Sequence, residues 1–271
     1  VKEVIFMATA RAERLDYLQT PPQQDGIQPV WYESLWGLEA LEQATARFLG
    51  REKIPRGDGS AVIVVPGFFS NDQHTSPLRS ELRSGNYDSR SSGIWFANLN
   101  PEAHEDGIIE EVDKAFADTG RKVHLIGHSL GGIMVRAVAA RRSEKVKSVT
   151  TLGSPLHGEP EEIINPMVLK AAEWLIPILR DRSRLEKRKR EIAESLRHKG
   201  VRATSIYTKR DGVVDWRACV DPDPGNENIE VVSTHIGLIF HRRVYGHIGE
   251  ILKLPELGEI TEYPIFSRPA A

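Results

Sequence analysis

Three residues, Ser129, Asp211 and His235, could together make an activated oxygen nucleophile. A serine hydroxyl attacks poorly until a base takes its proton, and the base must be held in one tautomer by a carboxylate. Ser129 lies in GHSLG (127–131), which fits G-x-S-x-G, the nucleophile elbow. The glycines meet a steric need. The serine occupies a strained turn between strand and helix, where larger neighbours two positions away would clash. VHLI before it and LGGIMVRAVAA after it supply the strand and the helix that this reading requires, against the alternative of an ordinary strand–helix turn. A helix opening at Leu130 also aims its N-terminus at developing negative charge.

Chain order narrows the base and the acid, because this arrangement runs serine, acid, histidine. Five histidines follow Ser129: His157, His198, His235, His241 and His247. His235 follows the strand-like NIEVVST and precedes a helix, which places it on the strand edge where open α/β sheets hold ligands. His241 and His247 fall inside that helix, His198 in a charged helix, and His157 in the SPLHG loop, within reach of a substrate. Asp211 stands just after the strand VRATSIYT and before a glycine. It is favoured over Asp215, which reads as the N-cap of WRAC. An oxyanion needs two main-chain N–H donors. Leu130 is one, and Phe68, after the first core strand and Pro66-Gly67, is the other. The rings of Phe68 and Phe69 suit the wall of an acyl pocket.

The elements that must position these residues alternate. Strands are expected at 61–65, 93–99 (GIWFANL), 123–127, 146–153, in 201–214 and at 228–233. Helices are expected after Ser76-Pro77, with Ser76 as cap, then over EDGIIEEVDKAFADTG, over 130–142 and over 236–252. This is an α/β pattern: a mostly parallel sheet of about six strands with helices on both faces. Residues 61–156 and 200–271 make the core. Residues 1–60 read as a mostly helical N-terminal extension packed on it, with an amphipathic stretch at 34–50.

Residues 157–199 interrupt the alternation. Asn165-Pro166 opens a helix with an apolar stripe from Ile164 to Ile178, and Ser183 with Glu186 fits a capping box for a second, charged helix. A helical lid or cap over the site is expected, with Met167, Trp174 and Leu175 lining substrate. Arg182, Arg184, Lys187, Arg188, Lys189 and Arg190 could add peripheral contact with a lipid interface through 161–190, although a solvated helix face is the preferred reading.

VIVVPGFF, VHLIGHSLGGIMVRAVA, VTTLGSPLHG, SIYTKRDGVVDWRAC and VVSTHIGL together resemble the α/β-hydrolase superfamily, especially its bacterial lipases and carboxylesterases. The resemblance implies a Ser129-Asp211-His235 triad, oxyanion donors at Phe68 and Leu130, and ester hydrolysis through an acyl-enzyme. Two departures stand out: Asp215 replaces a proline common after DGVV, and no first strand hairpin is evident. Acyl transfer, amidase and thioesterase chemistry use the same triad. A non-catalytic lipid- or ligand-binding protein on this scaffold would be expected to have lost a triad member.

Composition excludes other classes. The chain has 271 residues, 40% hydrophobic, with a formal net charge of −2, so no nucleic-acid partner is indicated. No apolar run reaches membrane-spanning length. One cysteine, Cys219, and no visible signal peptide favour a cytoplasmic setting, a secreted mature form being the alternative. The oxygen-rich Asp221, Asp223, Glu227 and Asn228 do not match a calcium-loop spacing, and no dinucleotide or nucleotide fingerprint is present. No cofactor and no metal are expected.

Overall fold

Five consecutive apolar residues form β1 (Ala61–Val65), and all five are fully buried. Exposing even two of them would remove about 3–6 kcal/mol from the 5–15 that hold a typical domain, so the run belongs inside a sheet. The computed structural model describes residues 27–37, 40, 54–95, 101–175 and 181–256. It places β1 in a six-stranded, wholly parallel sheet of order β2-β1-β3-β4-β5-β6. The other strands are β2 (Asp88–Ser91), β3 (Val123–His128), β4 (Val146–Leu152), β5 (Arg202–Tyr207) and β6 (Glu227–Glu230).

The two-residue repeat of β1 divides the core. Ala61, Ile63 and Val65 face Ile108 and Val112 of α2 (Pro101–Thr119) and Met134 and Val138 of α3 (Leu130–Arg141). Val62 and Val64 face Leu78 and Leu82 of α1 (Ser76–Ser84) and Val244 and Ile248 of the C-terminal helix. Strand order reverses between β1 and β3, and such a switch point opens a crevice at the carboxyl ends of the strands.

The 157–199 stretch divides by role. Short α4 (Pro160–Ile163) and α5 (Pro166–Leu175) form a lid-like region at the carboxyl edge. Ile164 bridges to Val214, and Ala172 packs with Phe68, Leu130 and Leu185. Asn165 caps α5, accepting from the Met167 N–H at 3.1 Å. α6 (Arg182–Lys199) instead runs back along α3 and gives Ile192 and Leu196 to the core, so it serves as the crossover helix between β4 and β5. Two of its arginines reach α2. Arg184 and Arg188 bond Glu102 at 2.9 and 2.7 Å, Arg188 also bonds Glu105, and Lys189 bonds Glu186. Arg184 and Arg188 thus tie α6 to α2, while Lys187 and Arg190 stay exposed on a solvated face.

Four other expectations are corrected. The second strand is 88–91, not 93–99. An edge strand with one partner can be polar, as DSRS is, while Ile94 is buried as a packing residue outside any strand; residues 96–99 lie outside the described residues. Thr75, not Ser76, is the residue before α1, and it makes no side-chain cap bond. Asp181, not Ser183, caps α6, because its carboxylate reaches the Arg184 N–H at 3.1 Å. The 236–252 helix is two pieces: a 3-10 turn (Gly237–Ile239) tied by Thr234 Oγ1 accepting from the Gly237 N–H, then α8 (Arg242–Ile251). Of the 34–50 stretch, residues 38, 39 and 41–50 lie outside the described residues; residues 30–35 form a 3-10 helix. No helix among the described residues is long and apolar enough to cross a membrane.

Candidate active site

One residue, Ser129, makes the turn from β3 to α3, at φ 53° and ψ −121°. This backbone region is strained for any residue with a Cβ. The neighbours enforce it. The Ser129 N–H bonds the Leu152 carbonyl at the end of β4 (2.8 Å). A Cβ on Gly127 would stand 2.4 Å from the Gly131 oxygen, and one on Gly131 would stand 2.5 Å from the Pro66 oxygen. The Pro66-Gly67 turn leaving β1 lies against the serine, since a Cβ on Gly67 would approach the Ser129 Cβ to 3.0 Å. The backbones of Phe68 and Leu130 therefore flank Ser129.

Asp211 and His235 arrive from the ends of β5 and β6. Asp211 Oδ2 meets His235 Nδ1 at 2.7 Å, with both residues buried. The other oxygen, Oδ1, accepts from the Val213 and Val214 N–H groups at 2.8 and 2.7 Å, which fixes the carboxylate plane. Burial alone pushes the His235 pKa down. The charge and hydrogen bond of Asp211, then the charge of Glu33, outweigh it, and the net direction is up. With Nδ1 on Asp211, Nε2 is the ring nitrogen left for the cavity that His235 lines.

That cavity measures about 400 Å³ and also holds Ser129. Its other walls are mostly apolar: Phe68, Phe69, Leu130, Ile133, Ile164, Val168, Ala172, Val213 and Val214. Of the other residues expected to line substrate, His157 bonds the Val220 carbonyl at 3.1 Å away from the cavity, and Met167 is exposed to solvent. The side chains of Trp174 and Leu175 lie outside the described residues. Asp215 caps α7 (Trp216–Cys219) by accepting from the Arg217 N–H at 2.9 Å, as a residue read as a cap should. His198 is exposed, His247 is half-buried, and His241 is the buried residue before α8. Asp221 and Asp223 are engaged by Arg136 and Arg197, and no group of residues suited to a metal ion occurs among the described residues.

Two residues close to His235 escape a reading of the sequence. His128 Nε2 bonds the His235 carbonyl at 2.9 Å, so that nitrogen carries the hydrogen. Burial, then the charge of His235, pushes the His128 pKa down to about 3, and the ring is neutral. Glu33, in the 3-10 helix (Val30–Leu35), is buried and bonds three backbone N–H groups of the two loops that carry Asp211 and His235. Neither belongs to a motif. His128 is only the variable residue of G-x-S-x-G, and Glu33 lies 202 residues from His235.

Comparison with known proteins adds to this geometry. Residues 119–179 match the family model described as alpha/beta hydrolase fold. The chain is 34% identical over 111 residues to a triacylglycerol lipase of Pseudarthrobacter phenanthrenivorans, covering 36% of this chain and 33% of that protein. It is also 34% identical over 111 residues to a triacylglycerol lipase of Burkholderia plantarii, covering 36% and 30%. The match thus spans about a third of the length of these curated relatives. A Bacillus licheniformis lipase in its mature form shares the fold over 75% of this chain and 96% of its own, at 14% identity and a TM-score of 0.56. The sheet and its flanking helices define an α/β-hydrolase fold. Over residues 119–179 the chain resembles the alpha/beta hydrolase family, and over about a third of its length it shows a broad likeness to lipases and esterases.

Proposed function

We propose that this protein is a serine hydrolase of carboxylic esters, with a small-molecule or lipid ester as substrate. The observation that carries the reading is the Asp211–His235 pair at 2.7 Å, whose imidazole opens on the same apolar cavity as Ser129. His235 Nε2 takes the Ser129 proton as Oγ attacks the ester carbonyl. The N–H groups of Phe68 and Leu130 hold the oxyanion, and each such donor is typically worth about 10²–10³ in rate. Asp211 keeps Nδ1 protonated and stabilises the imidazolium. His235 then gives its proton to the leaving alcohol, and a water activated by the same ring releases the acid from the acyl-enzyme. The apolar walls suit an acyl chain, and the lipase names of the relatives favour a lipid ester.

The test is rapid-mixing kinetics with p-nitrophenyl esters of increasing acyl length. A burst of nitrophenol matching the enzyme concentration, absent in Ser129→Ala, is the expected result. Ester turnover that survives in Ser129→Ala overturns the assignment.

A further inference from the structure

Glu33 holds three donors at once. Its Oε1 accepts from the Gly212 N–H (2.8 Å) and the His235 N–H (3.1 Å), and its Oε2 accepts from the Ile236 N–H (2.9 Å). One carboxylate therefore joins the loop after β5 to the loop after β6. The same segment makes a second tie, from the Gln28 N–H to the Asp211 carbonyl at 2.9 Å. Gly212 leaves the space that this needs, since a Cβ there would stand 3.1 Å from Glu33 Oε1. His235 is gripped from both sides of its backbone: Glu33 holds its N–H, and His128 holds its carbonyl.

We infer that Glu33 is a positioning residue of this site: it fixes the Asp211 and His235 loops in mutual register and places a second negative charge behind the imidazole. This rests on the proposed triad. Three converging N–H donors suit the ionised carboxylate. Burial, then the charge of Asp211, pushes the Glu33 pKa up; the charge of His235 and the N–H bonds from Ile236 and Gly212 pull it back, and the net direction is up. The cation formed on His235 when Ser129 attacks therefore lowers the cost of keeping Glu33 charged, and Glu33 in turn favours that cation. Charge on Asp211 alone would orient the ring. Charge on Glu33 acts through the backbone of the same residue and through space, so its loss is read in the titration of the ring as well as in rate.

The experiment compares wild type, Glu33→Gln and Glu33→Asp. Gln keeps the size, but its amide nitrogen faces an N–H that it cannot accept from. Two readouts are taken: steady-state kinetics on a p-nitrophenyl ester across pH, and titration of the His235 ring by NMR of ¹⁵N-histidine-labelled protein. For Glu33→Gln we expect kcat to fall about tenfold or more with KM little changed. The acid limb of kcat/KM and the His235 titration both move to lower pH, and Glu33→Asp restores part of each. An unmoved His235 titration in folded Glu33→Gln overturns the inference, whatever happens to Tm, since a purely structural role changes melting alone. The NMR readout needs no substrate. If ester turnover proves independent of Ser129, a shifted His235 titration still supports Glu33, and only the reaction is misassigned.

Discussion

Gly131→Ala puts one methyl group where the fold leaves no room, and its cost follows from two distances. The added Cβ would lie 2.5 Å from the Pro66 oxygen and 2.6 Å from the Val65 oxygen. A carbon next to a carbonyl oxygen settles at about 3.3–3.6 Å, so α3 or the end of β1 must retreat by roughly 0.8 Å. Both obstacles are main chain, and Val65 is fully buried, so no side chain can swing aside. Overpacking costs about 1–3 kcal/mol, and this site belongs at the upper end. At about 2–4 °C per kcal/mol for a chain of this size, Tm falls by roughly 6–12 °C. On the proposed mechanism activity falls further, because moving Pro66 carries the Phe68 N–H with it, and a lost oxyanion donor costs about 10²–10³ in kcat. Circular-dichroism melts and ester kinetics check this against Gly107→Ala. That helical position has open space around its Cβ, and alanine there gains about 0.5–1 kcal/mol. If Gly131→Ala melts within about 2 °C of wild type at full kcat, the strand end yields freely and the steric account of this turn is wrong.

Asp211→Asn should lower kcat by about 10³–10⁴ with little change in KM, as seen when such an acid can no longer fix the ring tautomer; a loss under about tenfold, read by steady-state ester kinetics, would return the acid role to Asp215. Acid sensitivity should come from buried histidine. Burial and the charge of Lys147 push the folded His124 pKa to about 3 from 6.5, so its contribution to stability is full above pH 6.5 and is lost as pH falls toward 3. This is on the order of 2 kcal/mol by pH 5, and Tm measured from pH 7 to 4 should fall less steeply in His124→Gln.

The central strands were legible because their burial is written in their composition: AVIVV and VHLI have no polar face to offer water. β2 was not, because an edge strand with one partner needs no such run, and the apolar GIW beside it drew the reading away. α6 was legible only in part: Lys187 and Arg190 lie on a solvated face, as their charge suggests. Leu185, Ile192 and Leu196 carry its packing, while arginines that look solvated in the sequence reach back to Glu102 and Glu105. The spacing of Ser129, Asp211 and His235 could be read because strand ends on one sheet edge impose an order on the chain. Asp181 lost to Ser183 because a cap can sit two residues to either side of a fitting pattern. Glu33 left no trace at all, since its partners are backbone N–H groups, which every residue but proline owns.

The distance in sequence between Glu33 and its partners also sets a clock. Gly212 and His235 follow it by 179 and 202 residues. At about 5–20 residues per second of synthesis, Glu33 waits roughly 10–40 s after its own incorporation before His235 exists. Between the synthesis of residue 129 and that of residue 211, β1, β3 and the serine turn can pack on one another while the acid and base loops have not been made. The hydroxyl is thus presented early and its activation comes last. A ribosome stalled between residues 129 and 212 holds a chain with the serine made, the base missing, and a Glu33 carboxylate whose three backbone partners have not yet been made.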